Sequence, residues 1–282
     1  SPASQVTYAE GYSSVPTQNR HALLLEAVDA ARKADVVIFV GGLNKNENQD
    51  CEGADRRSLN LPYGQDELIG ELARVNRNLV AVIISGNAVA MPWVNEVPAI
   101  VEAWYGGTEA GNAIASVLAG EVNPSGKLPF TFPVRLEDNP AIALDAYPGD
   151  GKQVEYKEGI FVGYRWNDRE RIKPLFCFGH GLSYTTFEYG KVTAEGRQMG
   201  PDGTITVSVP VKNTGSRAGA EIVQLYVSDL KSSLPRPVKE LKGFRKITLQ
   251  PGQEQTVSFT IDRKALSFYD DTKQDWVAET GT

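Results

Sequence analysis

Between residues 46 and 69 the sequence NENQDCEGADRRSLNLPYGQDELI sets the carboxylates of Glu47, Asp50, Glu52 and Asp55 among Arg56, Arg57 and Cys51. Carboxyl groups held at a reacting bond give and take protons, so a cluster of this kind is a candidate for general acid–base chemistry. The same composition describes the charged face of an ordinary surface loop, and the residues alone leave both readings open. Other reactive types are sparse. His21 and His180 are the two histidines, and Cys51 and Cys177 the two cysteines. That is too few for a disulfide scaffold, and metal-ligand spacings are absent. Neither histidine accompanies a nucleophile-elbow pattern, so no Ser/His/Asp set can be assembled.

The elements that must position the loop follow from periodicity. From His21 to Lys33, Leu24, Ala27, Val28 and Ala31 share a helical face, and DVVIFVGG follows as an all-apolar, β-branched run closing on glycines. After the charged loop, Leu68, Ile69, Leu72, Ala73 and Asn76 repeat the helical spacing, and NLVAVIISG repeats the buried strand. VPAIVEAWYGG reads as a third strand, leading to a helix near Thr108 to Ala119 with Ala110, Ile114, Val117 and Leu118 inward. Helices alternating with all-apolar strands predict an α/β domain whose mainly parallel sheet is covered on both faces. Ligands of such sheets sit at the carboxyl ends of the strands, and the charged loop leaves one of those ends.

From Asn123 to about Tyr189 periodicity gives way to Pro, Gly and aromatic clusters, which read as a functional linker or a wrap over another surface. Beyond it, Ile205, Val207, Val209 and Val211 alternate with polar residues, and three further strand-like runs follow, with turn signals at Asn213-Thr214-Gly215 and Pro251-Gly252. This predicts a small all-β sandwich. The expected divisions are residues 1–135, 136–190 and 191–282.

At 282 residues, with 41% hydrophobic and 23% charged residues, the chain has the make-up of a globular protein of two domains. Its 29 basic and 35 acidic residues give a net charge of −6 without a basic block, which argues against a nucleic-acid partner. No apolar run approaches the ~20 residues of a membrane span, and SPASQVTYAEGYSS has neither the basic nor the apolar region of a signal peptide.

Taken in order, CEGADRRSLNLPYGQDELI, NPSGKLPFTFP, EGIFVGYRW, FGHGLSYTTFEY and KNTGSRAGAEIVQLYVSD resemble the C-terminal part of family 3 glycoside hydrolases of the β-glucosidase and β-xylosidase type. The resemblance implies an αβα sandwich domain followed by a fibronectin type III-like β-sandwich. The family's catalytic (β/α)8 barrel would then be an N-terminal partner absent from this chain, and Ser1 the start of a fragment or processed chain. The β-sandwich would stop at WVAETGT, where a closing strand is expected.

Retaining glycosidases use two carboxyls ~5 to 5.5 Å apart, one attacking the anomeric carbon and one serving as acid and then base. In the family the nucleophile is an aspartate on the barrel and the acid/base a glutamate on a loop of the sandwich domain. Glu52 is the position that matches this glutamate. Asp50 and Asn48 are the candidate substrate contacts. Gly53 permits close backbone approach to a sugar, and Asp55 with Arg56 braces the loop.

The implied substrates are β-linked glucosides or short oligosaccharides, with no metal or organic cofactor, and the implied compartment is periplasmic or extracellular. This chain alone is expected to be inactive. A β-xylosidase is the alternative enzyme, ahead of an N-acetylglucosaminidase, and a non-catalytic carbohydrate-binding or assembly module is the alternative of another class.

The remaining candidates read as structure. WYGGTEAG lacks the G-x-G-x-x-G spacing of a nucleotide cradle and suits tight strand-to-helix packing, with Trp104 in the core or near a sugar. QDW, an Asp-Trp pair like that around the family's nucleophile, falls in the β-sandwich, where Trp276 is expected in the core. Trp93 and Trp166 are expected to be buried, and His180 to be structural.

Overall fold

The fold is described from a computed structural model, which covers residues 5–15, 18–196 and 198–281; the outermost ends of the expected domains, residues 1–4 and Thr282, lie outside these. The chain divides into two compact units, residues 1–114 with 132–136, and residues 115–131 with 137–282. Among the described residues no helix is long and apolar enough to cross a membrane.

The first unit is built on helix α1 (Arg20–Lys33) and strand β1 (Val37–Gly42), then α2 (Gln65–Val75), β2 (Leu79–Ile84) and β3 (Ala99–Glu102). Asn19 starts α1 by accepting from the Ala22 N–H, and Arg32 and Lys33 in its last turn suit the helix dipole. The expected faces are the buried ones: Ala27, Val28 and Ala31 on α1, and Leu68, Ile69, Leu72 and Ala73 on α2. Asn76, which closes α2, donates to the carbonyls of Ala31 and Ala34 and so ties the two helices together.

The strands are parallel in the order β1-β2-β3. Coverage of β1 is one-sided among the described residues: Phe39 is buried, whereas Ile38 and Val40 on the opposite face are about half exposed. The expectation of two covered faces thus holds less well for β1 than for the buried run of β2, where Leu79, Ala81, Val82 and Ile83 are fully enclosed.

At the carboxyl end of β1 the backbone turns sharply. Gly42 has φ 141°, and a Cβ there would stand 1.9 Å from the Ile84 carbonyl oxygen, so only glycine fits. Its backbone is held by the first residue of α2: Gln65, wholly buried, accepts from the Gly42 N–H at 2.7 Å and donates to the carbonyls of Gly42 and Pro62. One side chain therefore fixes both ends of the 43–64 loop.

Helix α3 (Ala110–Leu118) follows β3 through a single 3₁₀ turn, with Ala110, Ile114, Val117 and Leu118 half-buried.

In the second unit, short helices α4 (Pro140–Ala143) and α5 (Tyr164–Glu170) precede the strands. Strands β4 (Phe187–Tyr189), β5 (Thr193–Ala194), β6 (Thr204–Asn213) and β9 (Glu254–Asp262) form one antiparallel sheet, and β7 (Gly219–Val227) with β8 (Glu240–Leu249) another. Val209, Val211, Val223, Ile247, Leu249 and Val257 meet between them. Asn213 is the buried pin of the predicted turn: it accepts from Thr185 and Gly215 and donates to the carbonyls of Arg217 and Leu249.

The aromatic segment is a wrap over this sandwich. Asn123 and Ser183 join it to Ala218, Lys127 pairs with Glu221 at 3.1 Å, and Tyr164 stacks on Phe178 and meets Tyr226 edge-on while accepting from the Leu241 N–H. His180 belongs to the same wrap, stacked on Phe176, with burial and Lys127 lowering its pKa.

Helix α6 (Arg263–Leu266) leads to a hairpin of β10 (Phe268–Asp270) and β11 (Asp275–Val277). Trp276 corrects an expectation here. It is 62% exposed, its ring set edge-on to Tyr269, because outward register positions of a two-stranded hairpin have no second layer to cover them.

Gln65→Leu should lower the unfolding free energy of the first unit by about 3 kcal/mol, because it strands the N–H and C=O of Gly42 away from water. Denaturant titration against the unaltered chain checks it; a loss below ~1 kcal/mol would show that water replaces the amide.

Candidate active site

The charged loop lies at the carboxyl ends of the three parallel strands. Its first part is folded by asparagines: Asn44 accepts from the Asn46 N–H, its carbonyl accepts from the Asp50 N–H, and both asparagine amides donate to the Tyr63 hydroxyl. Asn48, expected at the substrate, has φ 62°, a left-handed conformation that asparagine tolerates better than most side chains. Glu47 is exposed.

Cys51 and Ala54 then pair as an isolated antiparallel bridge, which makes residues 51–54 a tight turn with Glu52 and Gly53 at its tip. Gly53 has φ 82°, as a type II turn requires at its third position, and this accounts for the glycine beside the glutamate. Glu52 is exposed at that apex. Both cysteines are free, and the Cys51 thiol lies 3.4 Å from the Ala54 carbonyl.

Asp50 is the joint between loop and sheet. Its Oδ2 accepts from the Gly86 N–H at 2.6 Å and the Tyr105 hydroxyl at 2.7 Å, and its Oδ1 accepts from the Asn87 side-chain amide. The donors come from the turns after β2 and β3. Asp50 and Glu52 are thus neighbours with different surroundings, the first engaged with three protein donors and the second facing solvent.

Arg56, expected to brace the loop with Asp55, does so by donating through Nη2 to Asn87 Oδ1 and the Ala88 carbonyl. Burial lowers its pKa, an effect that the charge of Asp50 opposes. Burial and the bond to Asp50 push the Tyr105 phenol well above its ordinary value, so it remains a donor.

Three contributors escaped the motif reading: Tyr105, Asn87 and Glu102. Glu102, the last residue of β3, is pushed up to about 7, chiefly by burial, against the pull of hydrogen bonds from Trp104 and Ser85. A carboxylate in an apolar strand run was the available signal. Trp104 takes φ 53° and sets its ring edge-on to Phe132, while Trp93 and Trp166 are buried at 2% and 4% exposure, as expected. Trp93 donates to Asp66, whose other oxygen accepts from the Leu61 N–H. Among the described residues no group of His, Cys, Asp and Glu could hold a metal ion.

A parallel α/β unit bearing an exposed carboxyl on a braced loop at its strand ends, joined to a β-sandwich, is the class of protein that this geometry defines. The chain belongs to glycosyl hydrolase family 3: the model of the family's C-terminal domain matches residues 2–164, and that of a fibronectin type III-like domain matches residues 221–282.

It is 56% identical to a beta-glucosidase of Bacteroides ovatus over 98% of this chain and 39% of that protein. It is 48% identical to thermostable beta-glucosidase B of Acetivibrio thermocellus, covering 98% and 36% of the two chains. Among solved structures, the family 3 beta-glucosidase of Bifidobacterium adolescentis superposes with a TM-score of 0.89 at 37% identity, covering 96% of this chain and 40% of the other. A Streptomyces venezuelae beta-glucosidase in complex with D-glucose superposes at 0.85 with 39% identity, covering 92% and 32%. The chain therefore spans between about a third and two fifths of these relatives.

The Glu102 environment makes stability pH-dependent in a definite direction. Between its ordinary value of 4.5 and about 7 the folded chain keeps a proton that the unfolded chain has lost. The contribution is complete below 4.5 and gone above about 7. Unfolding free energy measured from pH ~5 to ~8 should fall across this window, and Glu102→Gln should flatten that component; an unchanged slope would contradict it.

Proposed function

We propose that the chain supplies the general acid/base, Glu52, to a retaining exo-β-glycosidase, a β-glucosidase acting on short β-linked glucosides, whose nucleophile resides on a barrel domain outside this chain. The observation that carries the reading is the contrast within one loop: Glu52 is presented to solvent at a turn apex, while Asp50, two residues earlier, anchors that turn to the sheet. The similarity to beta-glucosidases along nearly the whole chain supports the substrate class.

In the first step a partner carboxylate attacks the anomeric carbon, the glycosidic C–O bond breaks, and Glu52 passes its proton to the departing oxygen. In the second, Glu52 as carboxylate takes a proton from water, which attacks the anomeric carbon and frees the nucleophile. Asp50 and Arg56 act by holding the loop, with Asn48 and the outer loop surface beside the leaving group. Export to the periplasm or cell exterior, where such oligosaccharides are met, belongs to the same proposal.

Two measurements test it. In the full-length enzyme, Glu52→Ala should cut hydrolysis of a poorly activated β-glucoside by at least ~100-fold. With an activated aryl glucoside, added azide should restore turnover and yield β-glucosyl azide. Unchanged hydrolysis by Glu52→Ala would remove Glu52 from the mechanism.

The chain by itself should show no Glu52-dependent hydrolysis, since half the carboxylate pair is elsewhere; measurable turnover abolished by Glu52→Ala would overturn the divided site. Binding of cello-oligosaccharides by the isolated chain without turnover would favour a carbohydrate-binding role.

A further inference from the structure

Glu102 is half-buried, and the mechanism above gives its carboxyl no task. Its Oε1 lies 3.2 Å from Ser85 Oγ and accepts from the Trp104 N–H at 3.3 Å. Ser85 Oγ also lies 2.8 Å from the Asn87 carbonyl oxygen. A hydroxyl has one proton, and a carbonyl only accepts. The serine proton therefore belongs to the shorter bond with Asn87, and the Ser85–Glu102 contact is satisfied when Glu102 supplies the proton. The other carboxyl oxygen, Oε2, is buried without a hydrogen-bond partner among the described residues, which a neutral carboxyl tolerates and an anion does not.

The two turns that Glu102 touches are the two that grip Asp50. Residues 85–87 deliver the Gly86 N–H and the Asn87 amide, and the turn after β3 delivers the Tyr105 hydroxyl. Trp104, between Glu102 and Tyr105, is a bulky side chain in the left-handed region, a conformation that persists only where its surroundings enforce it.

Resting on the role given to Glu52, we propose that Glu102 is a positioning residue for its loop: the neutral carboxyl locks both turns in the arrangement that grips Asp50, and ionisation loosens that grip. Once ionised, Glu102 draws the Ser85 proton away from the Asn87 carbonyl and sets a second negative charge near Asp50. Burial, which pushes Glu102 up to about 7, places the change near neutral pH. The charged and titratable groups that act on this network are Asp50 from the loop, Tyr105 from the following turn, and Arg56, whose charge is felt by both.

The test is amide hydrogen exchange of the 47–55 segment in the full-length protein at pH 6 and pH 8, corrected for intrinsic exchange, in parallel with the kcat and KM profiles. In the unaltered protein, protection should drop by about tenfold between the two pH values, the effect of one unit of coupling. In Glu102→Gln it should be the same at both, and the alkaline limb of kcat should move upward with little change in KM. Tyr105→Phe, a change at a partly exposed side chain, should lower protection already at pH 6.

Protection that is independent of pH in the unaltered protein, or an equal drop in Glu102→Gln, overturns the proposal. Should Glu102→Gln fail to fold, a drop that persists undiminished in Tyr105→Phe overturns it as well. The exchange readout does not depend on catalysis. Loss of azide rescue at Glu52 with a pH-dependent loop would remove the acid/base reading alone, and azide rescue with a pH-independent loop would remove the positioning role alone.

Discussion

The arrangement of the first unit turns on one half-buried carboxylate. Asp50 has only acceptors, and its three donors come from the ends of two different strands, so the bond set exists only when β2, β3 and the loop are all in register. Ordering a charged loop costs conformational entropy at every residue, and the exposed apex carrying Glu52 has few contacts of its own to offset it. Charge-assisted bonds two residues away supply that order while leaving Glu52 itself unburdened. The residue that holds the loop in position is thus a different one from the residue presented at its apex.

The strand ends make such a joint available because a parallel sheet brings all its carboxyl termini to one edge. Each end contributes differently. After β1, Gly42 and the buried Gln65 set the direction of departure; after β2, Ser85, Gly86 and Asn87 form a small polar turn; after β3, Glu102 and the strained Trp104 aim Tyr105 at the loop. At this edge the Glu102 carboxyl meets Ser85 and the Trp104 N–H through Oε1 alone, and its buried Oε2, without a hydrogen-bond partner among the described residues, is tolerated because the carboxyl keeps its proton. Polar satisfaction and positioning are the same set of bonds seen from two sides.

The second unit is held by a different device. Its sandwich core is a modest set of valines, leucine and isoleucine, and the aromatic wrap extends it with Tyr164, Phe178 and Tyr226. The Lys127–Glu221 pair and the Asn123 amide secure the wrap to β7, and Asn213 secures the turn from β6 to β7. Long segments without regular structure remain ordered when side chains of this kind satisfy their backbone groups.

The sequence by itself determined the alternation of helices and buried strands, the inward faces of α1 and α2, the valine alternation of β6 and the Pro251-Gly252 turn between β8 and β9. These are local: a period of 3.6 or 2, or a glycine where φ must be positive, is written in residues within a few positions of one another. The family motifs added the family to which the chain belongs.

Only the tertiary structure decided that Asp50 anchors the loop, that Tyr105, 55 residues away, is one of its donors, that Glu102 is buried enough to keep its proton near neutrality, and that Trp276 stands in solvent. Hydrogen bonds between strand ends depend on register and on what packs above each position. A residue's type does not carry that information, so the network became visible only when the chain was closed on itself.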